Sequence, residues 1–309
     1  MLRKNPIKRI LRKKENLLIN DKPKTIYHYD YEHDDGKEIT EEEIRFAKSL
    51  VIPHRVDNES LRIFSPEKKI LAKYKDSKGR QIYKYSKKEL AKNIEEKYER
   101  NRQFENDIDN VIDNIKKKIN ISTKNGQAAL ILYIIYESGL RIGSENDTKA
   151  DRKAYGISTL LNKHVSFTKD GKVKLDFIGK KGVRNSSIID NPIIFKNLKL
   201  LKSPNYSYKI FDVSASHVRK FLKSIDDRFE VKDFRTLKAN RIAKKEIEKR
   251  KGPAPTEKVF KKWQNEVADI VAKKLGNTRS VALNDYIDPS LWERWRKKEW
   301  DRFIPKYIK

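Results

Sequence analysis

The sequence predicts an α+β protein in two parts: a small β-rich amino-terminal domain, then a larger, mostly helical domain carrying a small three-stranded antiparallel sheet. Three observations predict it. Residues 22–85 alternate short apolar pieces with turn residues. From Lys87 to about Ile119 the chain is rich in Lys, Glu, Asn and Asp and lacks glycine and proline. A nearly unbroken apolar segment, Gln127 to Leu140, is followed first by period-two alternation and then by apolar residues at helical spacing.

Taken in order, residues 1–24 are dominated by basic residues from Arg3 to Lys14 with no continuous apolar stretch, so they read as a phosphate-contacting arm, with an organellar transit peptide as the alternative, and not as a secretory signal. Residues 25–92 form the β-rich domain, with strand material at Val51-Ile52-Pro53, Leu61 to Phe64 and Tyr74 to Tyr85 around the turn Ser77-Lys78-Gly79. Residues 93–309 form the helical domain. Ser86 caps the helix that leads into it. Gln127 to Leu140 is too long for a strand and reads as a buried helix ended by Gly143, with Glu137 and Arg141 at its end.

Val165 and Phe167, the dipeptide Asp170-Gly171, and Val173, Leu175 and Phe177 predict a hairpin around a type I′ turn. Gly179-Lys180-Lys181-Gly182 makes a second turn, and Ser186 to Ile189 supplies the third strand. Val218, Phe221, Leu222 and Ile225 then form a helix after a Ser214 cap. Lys232 to Ala239 starts another helix, with Asp233 as N-cap and Arg235 in its first turn. Val259 to Val271 makes a third, closed by Gly276. The tail from Leu291, with Trp292, Trp295, Trp300 and Phe303, reads as an amphipathic helix packed on the larger domain, or alternatively as a segment that stacks on nucleic acid. No internal repeat is visible.

Composition narrows the function. Lys and Arg number 72 against 44 Asp and Glu, a net charge of +28, and 38% of residues are charged where about 25% is usual. Such a charge repels itself unless a polyanion neutralises it, so nucleic acid is the expected partner and an ordinary small-metabolite enzyme is not. With 37% hydrophobic residues the chain still builds a core. The absence of cysteine excludes disulfides, thiolate metal sites and a cysteine nucleophile, and fits an intracellular compartment. The longest apolar run, Ala128 to Tyr136, is far short of the ~20 residues of a membrane span. There is no G-x-x-x-x-G-K-[ST] loop and no H-E-x-x-H among five histidines, so neither a nucleotide, a metal nor another cofactor is expected.

Several cations and one tyrosine remain. Arg141 can clamp two phosphate oxygens, and Gly143 lets backbone approach closely; alone, Arg141 also reads as a helix-terminal arginine favoured by the dipole. Lys180 sits at a turn from which it can deliver a proton, but it also reads as a solvated lysine, and Lys181 beside it is an alternative. Arg235 sits in a helix start suited to phosphate, or points to solvent. Asn277 is either a donor or a simple cap. Tyr286 is either a nucleophile or a half-buried aromatic.

The order Arg141, hairpin-turn Lys180, Lys232-Asp233-Phe234-Arg235, then Gly276-Asn277-Thr278 ahead of Tyr286 closely resembles the type IB DNA topoisomerases, especially the compact form of poxviruses, other large DNA viruses and some bacteria. The resemblance runs from about Val51 to Pro289. It implies Tyr286 as nucleophile, Arg141 and Arg235 as phosphate clamp, Lys180 as general acid and Asn277 as a third phosphate donor. Poxvirus and cellular nuclear members carry histidine at this last position, and asparagine can donate one hydrogen bond but bears no charge. The resemblance also matches Asp76 to Tyr85 with the family's groove-contacting strand, which makes Arg80, Gln81, Tyr83 and Tyr85 DNA-binding candidates. It implies a monomer that closes around double-stranded DNA in a viral or bacterial DNA-containing compartment. Supercoils of either sign would be relaxed through a 3′-phosphotyrosyl intermediate without ATP or metal. A tyrosine recombinase is the nearest enzymatic alternative, although position 232 is Lys where recombinases usually have His. A non-catalytic basic DNA-binding protein is the other.

Overall fold

The computed structural model describes residues 5–19, 22–149 and 151–296, and these fall into two compact units that change over between Glu95 and Glu96. The first is built on a five-stranded antiparallel sheet of order β2-β1-β3-β4-β5. Strands β1 (Ile7–Ile19) and β2 (Lys22–His33) form a long hairpin whose register shifts between Leu11 and Lys13. Helix α1 (Glu41–Ser49) follows, opened by a capping box in which Thr40 and Glu43 satisfy each other's backbone N–H groups. Strands β3 (Val56–Ile63), β4 (Ile70–Asp76) and β5 (Gln81–Tyr85) complete the sheet.

The basic amino-terminal stretch is thus largely strand and not a separate arm. Its pattern conceals this because the inward position belongs to an arginine. Arg9 is buried, and it donates to the carbonyls of Ile52 (3.0 Å) and Pro53 (2.9 Å) and to Asn58. A buried cation with its donors satisfied does the job of an apolar residue, but no hydrophobic periodicity betrays it.

The second unit begins within helix α2 (Lys87–Lys117), whose first turn is capped by the Ser86 hydroxyl. Helix α3 (Lys124–Ser138) is buried from Ala128 through Ile135, as its unbroken apolar sequence requires. It ends at Gly139, φ +71°, and not at Gly143. The left-handed conformation that a helix-terminating glycine supplies is already met four residues earlier, so Arg141 lies in the loop beyond the helix. A one-turn helix α4 (Glu145–Thr148) follows. Strands β6 (Val165–Phe167), β7 (Val173–Ile178) and β8 (Arg184–Ile189) make the small antiparallel sheet.

The β6–β7 connection differs from the type I′ expectation. Phe167 pairs with Val173, Thr168 N–H donates to Lys172 O (2.9 Å), and only Gly171 has positive φ. This is a longer loop with one left-handed glycine, and Asp170 avoids the left-handed region that a type I′ turn would impose on it.

Helices α5 (Pro192–Leu201), α6 (Ala215–Ile225), α7 (Val231–Glu248), α8 (Glu257–Leu275) and α9 (Arg279–Asp285) complete the unit, followed by a 3-10 turn at Pro289–Trp295. Helix α7 starts two residues before the expected N-cap. Asp233 is its third residue and accepts from the N–H of Glu230 (2.8 Å), so Arg235 sits inside the helix and not at its exposed start. Trp292 and Trp295 are buried, Trp295 edge-on to Trp263 with ring centroids 5.2 Å apart; Trp300 and Phe303 lie outside the described residues.

The larger core centres on α3 and on Phe104 of α2, whose ring lies 4.6 Å from that of Phe229 and 4.8 Å from that of Phe234. These contacts dock α2 against the start of α7. Phe104→Ala is expected to cost about 3–5 kcal/mol, read as a lower urea midpoint by tryptophan fluorescence; an unchanged midpoint would show that α2 does not hold this core.

Candidate active site

Arg141, Lys180, Arg235, Asn277 and Tyr286 come from five separate segments and line one cleft of about 850 Å³ in the second unit. Arg235 is the most constrained of them, only 3% exposed. Its Nη1 donates to the carbonyl of Gly139 at the end of α3, and its Nη2 donates to that of Leu275 (3.0 Å) at the end of α8. Each helix stops at a left-handed glycine, Gly139 or Gly276, and leaves carbonyls with no intrahelical partner. The guanidinium fills that need at the negative ends of two helix dipoles. Its Nε is buried without a partner, and no carboxylate pairs with it among the described residues.

Arg141 emerges from α3 into an extended loop fixed by Ile157 N–H donating to Arg141 O (2.9 Å) and Ser158 N–H to Ile142 O (2.8 Å). The loop runs so close to Gly156 that a Cβ there would lie 2.4 Å from the nitrogen of Gly143 and 2.6 Å from the oxygen of Arg141. From this position Arg141 Nη2 donates to Asn277 Oδ1 (2.5 Å). Arginine has no acceptor, so the amide must present its oxygen to Arg141 and turn its NH₂ away. That Nδ2 is buried and unpartnered.

Asn277 follows the left-handed Gly276, just ahead of the Thr278 cap of α9. Gly276 also touches the small sheet, since a Cβ on it would come within 2.9 Å of Asn185 Oδ1, and one on Gly179 would meet Asn185 Nδ2 at 2.3 Å. Asn185 of β8 is therefore wedged between the turn carrying Lys180 and the segment carrying Asn277. Lys180 is exposed and makes no ion pair among the described residues. Lys181 lines the same cleft with φ +63°, a conformation uncommon outside glycine.

Tyr286 ends α9 and is 6% exposed. Burial pushes its phenol up, but the charge of Arg235 and a hydrogen bond with it, then the charges of Arg141 and Lys232, outweigh that and leave it below the ordinary tyrosine value. The Arg235 guanidinium lies 5.4 Å from the ring centroid and the Lys232 ammonium 5.7 Å. Lys232, which the sequence marks only as the first residue of its motif, also stands at this ring. Its signal is helical spacing: positions three apart share a helix face, so a lysine three residues before Arg235 meets the same cleft. No group of His, Asp or Glu among the described residues is clustered closely enough to hold a metal ion, and no helix among them is long and apolar enough to cross a membrane.

In the first unit, Tyr83 and Tyr85 project from β5 on one exposed face with ring centroids 6.3 Å apart. The register places Lys73 beside Tyr83 and Lys75 beside Gln81 on the same face. No sequence signal marks these two lysines, because a lysine-rich chain gives them no contrast. Arg80 differs from its neighbours: it forks onto Asp76 through Nε (2.8 Å) and Nη2 (2.5 Å) at the β4–β5 turn.

The family model for the catalytic core of eukaryotic DNA topoisomerase I matches residues 84–298, which take in all five cleft positions. The chain belongs to the type IB DNA topoisomerases. It is similar to the DNA topoisomerase 1B of Acanthamoeba polyphaga mimivirus, with 28% identity over 282 residues that cover 85% of this chain and 82% of the viral protein. The topoisomerase is thus an isomerase whose substrate is DNA, and the recombinase and non-catalytic alternatives fall away. In this enzyme the Gly143–Gly156 contact sets where Arg141 stands. Gly156→Ala should destabilise the fold by about 1–3 kcal/mol, read as a lower urea midpoint; an unchanged midpoint would show that the loop tolerates the shift.

Proposed function

We propose that this topoisomerase cuts one DNA strand by attack of the Tyr286 hydroxyl on a backbone phosphate, lets the duplex rotate, and reseals it. The observation that carries this reading is the set of positive and donor groups around Tyr286: two guanidiniums with no carboxylate among the described residues, and the buried Arg235 Nε and Asn277 Nδ2, which take no acceptor among them. Buried donors left open are costly unless a ligand takes them. A phosphodiester fits, since it is anionic and offers nonbridging oxygens to planar forks.

In the forward step the phenol gives up its proton to solvent water, its oxygen bonds to phosphorus, and the bond from phosphorus to the 5′ oxygen breaks. Arg141 and Arg235 stay charged throughout and follow the charge that builds on the nonbridging oxygens. Asn277 adds a neutral hydrogen bond. The 5′ alkoxide is a poor leaving group, and Lys180 gives it a proton. One ester replaces another, so the 3′-phosphotyrosyl link keeps the bond energy, and the reverse attack by the 5′ hydroxyl needs neither ATP nor metal. Supercoils of either sign are lost by rotation about the intact strand. The enzyme acts as a monomer, and the face of the first unit with Gln81, Tyr83 and Tyr85, extended by Lys73 and Lys75, contacts the DNA groove.

Supercoiled plasmid should be relaxed in EDTA without ATP, and denaturant should trap the protein on DNA. Tyr286→Phe should abolish both while keeping DNA affinity; a strict magnesium or ATP requirement, or an active Phe variant, overturns the reading. Lys180→Ala should slow cleavage of an ordinary phosphodiester by roughly 10²–10⁴-fold and that of a 5′-thiolate substrate far less, because sulfur leaves without protonation. Equal slowing on the two substrates would remove Lys180 from the acid role.

A further inference from the structure

The segment 285–288 is where α9 gives way to the 3-10 turn, a place where backbone carbonyls lack helical partners. Here three successive carbonyls are taken by side chains. Lys97 Nζ donates to Asp285 O (3.1 Å), Asn240 Nδ2 to Tyr286 O (3.2 Å), and the Tyr98 hydroxyl to Ile287 O (2.7 Å). Asn240 Oδ1 accepts in turn from the N–H of Asp288 (2.7 Å), and Arg102 holds the Asp288 carboxylate (2.9 Å).

Lys97, Tyr98 and Arg102 all belong to α2, nearly two hundred residues away in sequence. The same helix also grips the start of α7, through Arg100 to the Asp233 carboxylate (3.0 Å) and Asn101 to the Asp233 carbonyl (3.2 Å). One rail therefore fixes both the segment bearing Tyr286 and the helix bearing Lys232 and Arg235.

Neither Lys97 nor Tyr98 lines the cleft. Tyr98 is buried, and the Lys97 ammonium sits 4.0 Å from the centroid of its ring. Burial, reinforced by the charge of Lys232 and opposed by Asp285 and Asp288, pushes Lys97 down to about 8. A lysine held in so unfavourable a place needs a compensating contact, and Lys97 donates its hydrogen bond to the residue just before Tyr286.

We propose that Lys97 and Tyr98 are positioning residues for strand cleavage: by holding the carbonyls on either side of Tyr286, they aim the phenol at the phosphate without touching the DNA there. The inference rests on Tyr286 being the nucleophile. Its physical basis is preorganisation, since displacement of a reacting group by about 1 Å costs roughly 100-fold in rate.

The test is the rate of covalent adduct formation at saturating duplex DNA, measured with the full chain alongside DNA affinity and thermal melting. Tyr98→Phe and Lys97→Met should each slow the step roughly 10-fold or more with affinity unchanged, and Lys97→Arg should regain most of the lost rate. A 5′-thiolate substrate should be slowed as much as the phosphodiester, because what is lost is aim and not a proton. Unchanged rates, a loss confined to affinity, or rescue by the thiolate would each overturn the proposal. Should melting fall, the Arg and Met variants compared well below both transitions still decide, since equal rates overturn it. A wild type that forms no adduct overturns the nucleophile assignment and this inference together; an active wild type with unaffected variants overturns this inference alone.

Discussion

A guanidinium buried between two helix ends governs this site. Arg235 closes the carboxyl termini of α3 and α8 through the carbonyls of Gly139 and Leu275, and a third helix, α7, carries it there. A charge in such a place would ordinarily demand a carboxylate, yet dipole ends and carbonyls take that part. The consequence is a positive charge that is stabilised but not neutralised. Lys238, one turn along α7, repeats the arrangement by donating to the carbonyl of Glu137, so α7 is clamped onto the end of α3 at two points. Removing the charge would loosen three helices as well as the cleft.

The unneutralised charge also explains why a buried tyrosine can be considered as a nucleophile. Burial disfavours a phenolate, and Tyr286 is buried; Arg235, Arg141 and Lys232 reverse the sign of the net effect. The same cations that would hold the phosphate thus ease the loss of the proton that attack requires. Asn277 fits this arrangement as a relay. Its oxygen satisfies Arg141 and its NH₂ is left buried without a partner among the described residues, a division imposed by the arginine's lack of any acceptor. A histidine there could add charge, which an asparagine cannot.

Much of the site was legible because the chemistry of its residues is local. Lys232-Asp233-Phe234-Arg235, the glycine-bounded turn at Lys180 and Gly276-Asn277-Thr278 are short signatures, and the structure draws them to one cleft. A local signal misleads where it has two uses. Asp233 looks like an N-cap because Asp favours both that position and the third residue of a capping box, and only its contacts with Glu230 and Arg100 separate the two. Gly143 looks like a helix stop, but its φ of +98° serves the close approach to Gly156. Residues 7–19 look like an arm because an inward arginine leaves no apolar period.

The sequence by itself determined the class of partner, the family resemblance and most of the helices and strands, because net charge, motif order and hydrophobic period are properties of neighbouring residues. Tertiary structure decided which of many lysines and arginines matter. Lys97 and Tyr98 meet residues 285–288 across nearly two hundred positions, and Arg235 differs from other arginines only in what surrounds it. Burial, the direction of a pKa shift and the satisfaction of a carbonyl depend on atoms brought together from distant segments, and no local pattern encodes them.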